Sequence, residues 1–392
     1  MKRITLEEIA DVGSGGTPNR SNPAFWGGSI PWIKTGEIRF NTILDSQEKI
    51  TERALKESAT KIFPKGSLLM AMYGQGKTRA QVAILGIDAA INQACAAITV
   101  NEKSDFLYIY HYLAFNYQNI RNLSNKGGQE NLSADIIRSI PVNYPPLPEQ
   151  RKIAEILSTW DEALEKLEAL IEAKESSKKA LMQQLLKGEV RLKGFYQPWV
   201  RHRFSLLLEP QDRYVTFDDE HYYSLVSIRR RSGGVFFRET LQGSEIKTKV
   251  MKRVHTNDFL ISRMQVVHGA LGMVRPEFNG MCASDSYDVF VSKDSSLLHM
   301  PFMDWMSRMR SFWHLAYISS HGVHIEKMTF KLSDFMHEKI ALPSDPEEQR
   351  QITAILDTAD QELSLLRNQR ASLEQQKRGL MQRLLTGIIR VK

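Results

Sequence analysis

The stretch EQRKIAEILSTWDEAL, Glu149–Leu164, returns at Glu348–Leu363 as EQRQITAILDTADQEL. The offset of 199 residues holds without a gap to the last residue, where LMQRLLTGIIRVK (Leu380–Lys392) lies over LMQQLLKGEVRLK (Leu181–Lys193). Twenty of the 45 aligned positions are identical. An offset of about half the 392-residue chain means two halves, each a variable segment followed by one copy of a shared element.

Each copy predicts one long helix. Pro148 or Pro346 sits at the first helical position, Glu and Gln fill the first turn, Asp345 is a natural N-cap for the second copy, and Gly188 or Gly387 marks the stop. Apolar residues of the first copy fall at Ile153, Leu157, Trp160, Leu164, Leu167 and Ile171, then resume at Leu181 and Leu185 after Lys174 and Lys178. The second copy keeps the spacing at Ile352, Leu356, Ala359, Leu363, Leu366, Leu373, Leu380 and Leu384, with Arg370 and Lys377 as polar interruptions. Spacing that alternates four and three is a heptad seam. A single amphipathic helix usually packs on its own domain, but two matched seams in one chain favour pairing with each other. Some 38 helical residues at 1.5 Å each span roughly 57 Å, so an antiparallel pair would serve as a spacer between the segments that precede them.

Composition narrows the function classes. With 42% hydrophobic and 25% charged residues the chain has the balance of a globular protein with two or three cores. No apolar run reaches the roughly 18 to 20 residues of a membrane span, and MKRITLEEIADVG has no signal-peptide core, so a cytoplasmic protein without a membrane role is expected. Cys95 and Cys282 lie far apart in apolar surroundings, and the ten histidines show no ligand spacing; neither a disulfide framework nor a metal site is expected. The net charge of +7 suits a polyanionic partner without requiring one.

The segments 1–147 and 194–345 share a rhythm of short apolar runs broken by Gly, Asn and Pro, as in GSLLMAMYGQGKT, AAINQACAAITV, NDFLISRM and YDVFVS. These read as strands with reaching loops in α/β domains. Both segments end alike, with LSADIIRSIPV and LSDFMHEKIALP, so they read as diverged copies of one fold. The copies 148–193 and 346–392 complete an α+β chain with a pseudo-twofold internal repeat.

The loops carry groups suited to DNA: Arg and Lys match guanine and phosphate, Asn and Gln match adenine. In the first segment the candidates are Lys34, Thr35, Tyr73, Gln75, Gly76, Lys77, Thr78, Arg79, Asn92, Gln93, Lys126, Gly128, Gln129 and Asn131. In the second they are Arg229, Arg230, Arg231, Lys247, Lys249, Arg263, His268 and His321. Any one such loop is commonly just a solvated turn; their recurrence in both halves is the argument.

Catalytic motifs are incomplete. GQGKT at Gly74 lacks the glycine that a phosphate loop needs five residues before Gly76, where Ala71 stands, and RAQVAILG beyond it reads as strand. GSGG at Gly13 lacks a preceding buried strand, and NYPPLP has the letters of an amino-methyltransferase motif in the wrong order. No nucleophile, base and orienter assemble.

Over essentially its whole length the chain resembles the specificity subunits of type I restriction-modification enzymes, through GGTPNRSNPAFWGGSIPW, IPVNYPPLPEQRKIAEIL, IALPSDPEEQRQITAIL and the two LMQ.LL.G endings. The resemblance implies two target recognition domains reading the halves of a bipartite, asymmetric double-stranded DNA site, separated by two long helices in an antiparallel coiled coil. It implies two modification subunits that methylate adenine N6 with S-adenosylmethionine and restriction subunits that use ATP and Mg, with no cofactor on this chain. It points to the loops around Lys77 and Gly128; the second segment lacks GGTP and IPW, so the carry-over is weaker there. Three alternatives remain: the specificity component of a related type II complex (IIB/IIG-like), an ATP-binding enzyme using GQGKT, and a coiled-coil adaptor that binds only protein.

Overall fold

The computed structural model describes every residue except Gln75, 125–130, Lys249, Val323, 325–327 and Lys392. The chain forms two compact units, Met1–Leu170 with Leu366–Lys392, and Ile171–Leu365, so each contains one variable domain and a stretch of both repeat copies.

In the first unit a five-stranded sheet runs in the order Ala10–Ser14, Cys95–Val100, Leu68–Ala71, Val82–Leu85, Thr42–Ile43. Leu68–Ala71 is buried at every residue, as a central strand covered on both faces must be. A second sheet runs Glu48–Ile50, Trp26–Ile33, Ala89–Ile91, Ile62–Phe63, with Trp26–Ile33 parallel to Ala89–Ile91. Lys2–Thr5 pairs with Pro141–Tyr144 just before the first long helix.

The second unit repeats this plan except that its first sheet has four strands, with no counterpart of Thr42–Ile43 among the described residues. Leu208–Pro210, Tyr287–Ser292, Phe259–Ser262 and Leu271–Met273 form one sheet; Val235–Gln242, Tyr222–Ile228, Cys282–Ser284 and Met251–Arg253 form the other. Its parallel pair, Tyr222–Ile228 with Cys282–Ser284, is in the corresponding place, and Val200–Arg203 pairs with Lys339–Leu342 before the second long helix. The two segments are therefore one fold in two sequences. Inward positions must stay apolar to fill the sheets, whereas loop positions carry no such constraint.

The long helices are Leu147–Leu186 and Pro346–Leu385, 40 residues each. The first begins one residue before Pro148; the second begins on Pro346, with Asp345 Oδ1 accepting from the Glu347 amide at 2.8 Å. Gly188 (φ +68°) and Gly387 (φ +79°) take the left-handed conformation just past the ends, which a side chain would resist. In the first unit Glu149 pairs with Arg390, Asp161 with Lys377 and Glu168 with Arg370, so the helices run antiparallel there. In the second, Arg191 pairs with Glu348, Lys178 with Asp360 and Lys174 with Glu362. The first two pairs of each set map onto one another by the 199-residue offset.

All sixteen seam residues are buried or half-buried, in two roles. Ile153, Leu157 and Leu384 lie inside the first domain's core, with Leu380 against it. Leu185, Ile352 and Leu356 do the same in the second, with Leu181 beside them. Leu164, Leu167, Leu363 and Leu366 occupy the paired stretches between. The helices both pack on their domains and pair with each other.

Candidate nucleic-acid interface

In the first domain the candidate residues stand where strands end. The connection from Leu68–Ala71 to Val82–Leu85 turns through Gly74 (φ +137°), Gly76 (φ +70°) and Ala80 (φ +69°). A Cβ on Gly74 would lie 2.7 Å from Thr78 Cβ, so only glycine lets this loop close. Lys77 is exposed at its tip, with Thr78 and Tyr73 half-buried below. The Leu132 amide donates to the Met72 carbonyl at 2.9 Å, which brings Asn131 beside the loop.

Arg79, by contrast, is only 6% exposed, so its side chain lies inside the domain and not on the loop's outer surface. Lys34 gives its ammonium to Glu48 at 2.6 Å, beside Arg20 on the same carboxylate; hydrogen bonding from Lys34, then Arg20, holds Glu48 below the usual carboxylate range. Arg20 in turn stacks over Trp26 and Trp32, 4.1 and 4.8 Å from the ring centroids. Thr35 is half-buried, Gln93 bonds Thr17, and Asn92 caps its own turn through the Ala94 amide at 3.2 Å. Gln75, Lys126, Gly128 and Gln129 lie outside the described residues.

In the second domain three loops meet. The turn at Arg229–Gly234 has Arg231 and Ser232 in left-handed conformation, and their amides donate to the carbonyls of His268 (2.7 Å) and Gly269 (2.8 Å) in the next loop. Arg229, Arg230 and Arg231 are exposed, Arg229 lying 4.3 Å over the Phe236 ring, and Lys247 is exposed too. The Phe330 amide donates to the Arg263 carbonyl at 3.1 Å, bringing the hairpin of His321 alongside. This bond occupies the place of Leu132 to Met72 in the first domain. The guanidinium of Arg263 is engaged by Asp288 at 2.8 Å, which raises its pKa, and His321 holds Asp334 at 2.6 Å. Those two side chains serve the fold; the three arginines and Lys247 face outward. Lys249 lies outside the described residues.

Phe40, Gln81, Tyr117 and Arg121 adjoin the Lys77 loop, although none of the four is among the sequence candidates. Tyr117 donates its hydroxyl to the Lys77 carbonyl at 2.5 Å and accepts from Arg121 at 3.1 Å. Forty residues separate Tyr117 from Lys77, so no local pattern announces the pairing.

Among the described residues no group of three or more His, Cys, Asp or Glu could hold a metal ion, and no helix is long and apolar enough to cross a membrane. Burial pushes both thiols up, Cys95 the more strongly, which disfavours the nucleophilic thiolate.

Residues 1–175 match the family model of the type I restriction modification DNA specificity domain. The chain is 31% identical over 161 residues to the type I restriction enzyme EcoR124I/EcoR124II specificity subunit of Escherichia coli, 40% of each chain. It is 28% identical over 168 residues to the MjaIX specificity subunit of Methanocaldococcus jannaschii, 41% of this chain and 38% of that one. The matched stretch thus spans about two fifths of these relatives' length. The fold resembles the S subunit of a type I restriction-modification system from M. genitalium, with a TM-score of 0.62 at 13% identity, covering 98% of this chain and 96% of that one.

Proposed function

We propose that this chain, whose residues 1–175 match the type I specificity domain and whose fold resembles a type I S subunit over its whole length, is the DNA-reading subunit of a restriction-modification complex. Each domain reads one half of a bipartite double-stranded site, and the long helices set the spacer. Modification subunits methylate adenine with S-adenosylmethionine, restriction subunits supply the ATP- and Mg-dependent steps, and this chain is non-catalytic.

The observation that carries the reading is the pairing of one fold with two unlike loop sets. Apart from the edge strand Thr42–Ile43 of the first domain, strand order is the same in both, yet the loop at Lys77 and the loop at Arg229–Arg231 present different side chains. Two copies of a scaffold bearing different loops suit an asymmetric site in two parts.

The test adds modification subunits to the chain and maps methylated adenines. A two-part site is expected, with activity only in the assembly. Four residues inserted into each long helix, about 6 Å apiece, should lengthen the accepted spacer and leave the bases read unchanged. Methyl transfer by this chain alone, or a continuous site, contradicts the reading.

A further inference from the structure

Beside the Lys77 loop is a cleft of about 370 Å³, at the small end of ligand pockets. Its walls are Phe40, Tyr117, Lys77, Arg121, Gln81 and Gln118. The set has two aromatic rings, two cations and two carboxamides, and no carboxylate is among the described lining residues.

Phe40 is the informative member. Its backbone sits at φ +57°, a left-handed conformation that is a true outlier for a bulky side chain. Hydrogen bonds on both sides pin it there: its amide donates to Val82 O at 2.8 Å, Arg39 N to Asn41 Oδ1 at 2.8 Å, and Ile84 N to Asn41 O at 2.9 Å. The strain does not serve burial, because the ring remains 38% exposed, meeting Tyr117 edge-on at 5.3 Å. Asn or Gly would occupy this backbone at lower cost. A strained backbone that holds an aromatic ring at the surface points to a ligand for that ring.

We infer that this cleft is a single-nucleotide pocket, holding one unstacked base of the DNA against Phe40 and Tyr117. Gln81 and Gln118 offer donors and acceptors to the base edge, while Lys77 and Arg121 take the flanking phosphates. Tyr117, by bonding the Lys77 carbonyl and Arg121 together, positions both cations. The inference rests on the DNA-reading role proposed above and names the form in which the first domain takes its ligand.

The probes are short fluorescein-labelled single strands of oligo(dT) and oligo(dA), titrated against the full chain, with a duplex titrated against the chain plus modification subunits. The wild-type chain should bind single strands. Phe40→Gly should weaken that binding about tenfold or more, the scale of one stacked base, while its unfolding midpoint stays level or rises as the strain is relieved. Tyr117→Phe should weaken it less, and Lys77→Ala should lower the salt slope by about 0.7, the value of one neutralised phosphate on a single strand. Unchanged single-strand binding in Phe40→Gly, or a lowered midpoint, overturns the pocket by making the ring idle or structural. ATP competing at micromolar concentration reassigns the cleft to a free nucleotide and overturns it too. Duplex binding by the assembly without any single-strand binding sinks the pocket and leaves the recognition role intact; the opposite pattern sinks the recognition role alone.

Discussion

The carboxylate of Glu149 receives both Nε and Nη2 of Arg390, at 2.7 and 2.5 Å, across 241 residues of chain, and Glu348 receives the same two nitrogens of Arg191 at 2.7 and 2.8 Å. Each bidentate pair ties the first turn of one repeat to the tail beyond the other. Arg390 holds Glu149 below the usual carboxylate range, against the opposing push of burial.

That depression sets a pH dependence. A carboxyl whose folded pKa lies below its unfolded value, about 4.3, stabilises the fold above that pH and loses the contribution as pH falls through the folded pKa. Arg390→Ala should therefore unfold at lower urea than wild type at pH 7, and the gap should narrow as the pH falls below about 4. A gap independent of pH would place the effect in packing.

Gln150 is fully buried and uses both ends: Oε1 accepts from the Asp105 amide and Nε2 donates to Pro145 O, each at 2.9 Å. Gln349 accepts from the His299 amide at 2.9 Å and donates to Pro343 O at 3.2 Å. Asp105 and His299 are the N-caps of Phe106–Phe115 and Met300–Met306, so the repeated Gln holds the same helix start in both domains. Gln150→Ala leaves a buried donor and a buried acceptor unmet and should cost about 2 to 4 kcal/mol by chemical denaturation. A loss below about 0.5 kcal/mol would mean water replaces the amide.

His111 is 1% exposed, 3.3 Å from Ser158 Oγ and 3.7 Å from Asp161. Burial pushes its pKa down to about 4, with Asp161 opposing and Lys377 assisting. The unfolded chain takes up a proton near pH 6.5 that the folded chain refuses until about pH 4, so stability should fall between them by up to about 3 kcal/mol. In the second unit the corresponding side chain is Trp305, whose indole carries no titratable proton in this range and donates to Asp357 at 2.9 Å. His111→Gln should flatten the slope of urea midpoint against pH; an unaltered slope would assign it to other groups.

For DNA binding, the exposed Lys77 and Arg230 replace the buried Arg79 as test positions. Lys77→Ala or Arg230→Ala should weaken duplex binding by the assembled complex and reduce its salt slope by about 0.9 for each phosphate no longer neutralised. Arg79→Ala should lower the unfolding midpoint first. Equal salt slopes in all three variants would move the interface elsewhere.

The pairs also predict what a fragment stopping at Lys193 does. Asp161 and Glu149 take Lys377 and Arg390 in the intact chain, and Lys178 and Arg191 are their equivalents 199 residues earlier. Two copies of 1–193 should therefore pair through Lys178 with Asp161 and Arg191 with Glu149, and with modification subunits direct methylation to a palindrome. Sedimentation tests the pairing; a folded fragment that stays monomeric at high concentration refutes it.

The sequence by itself determined the duplication, the two long helices and their apolar seam, and several of the sheet strands. All of these are periodic or local, so the residues that specify them are neighbours in the chain. That the two variable segments share one fold was legible in their matching ends, LSADIIRSIPV and LSDFMHEKIALP, each of which forms a short helix and the strand that pairs back to its domain's start. The candidate interface was legible as loops and not as side chains. Whether an arginine faces solvent, as Arg230 does, or turns inward like Arg79, or is engaged by a carboxylate like Arg263, depends on groups distant in sequence. The same holds for Phe40, whose importance rests on Tyr117 and on a backbone angle that no composition announces. Tertiary structure alone decided these, because burial and pairing belong to the folded surroundings, whereas periodicity belongs to the chain.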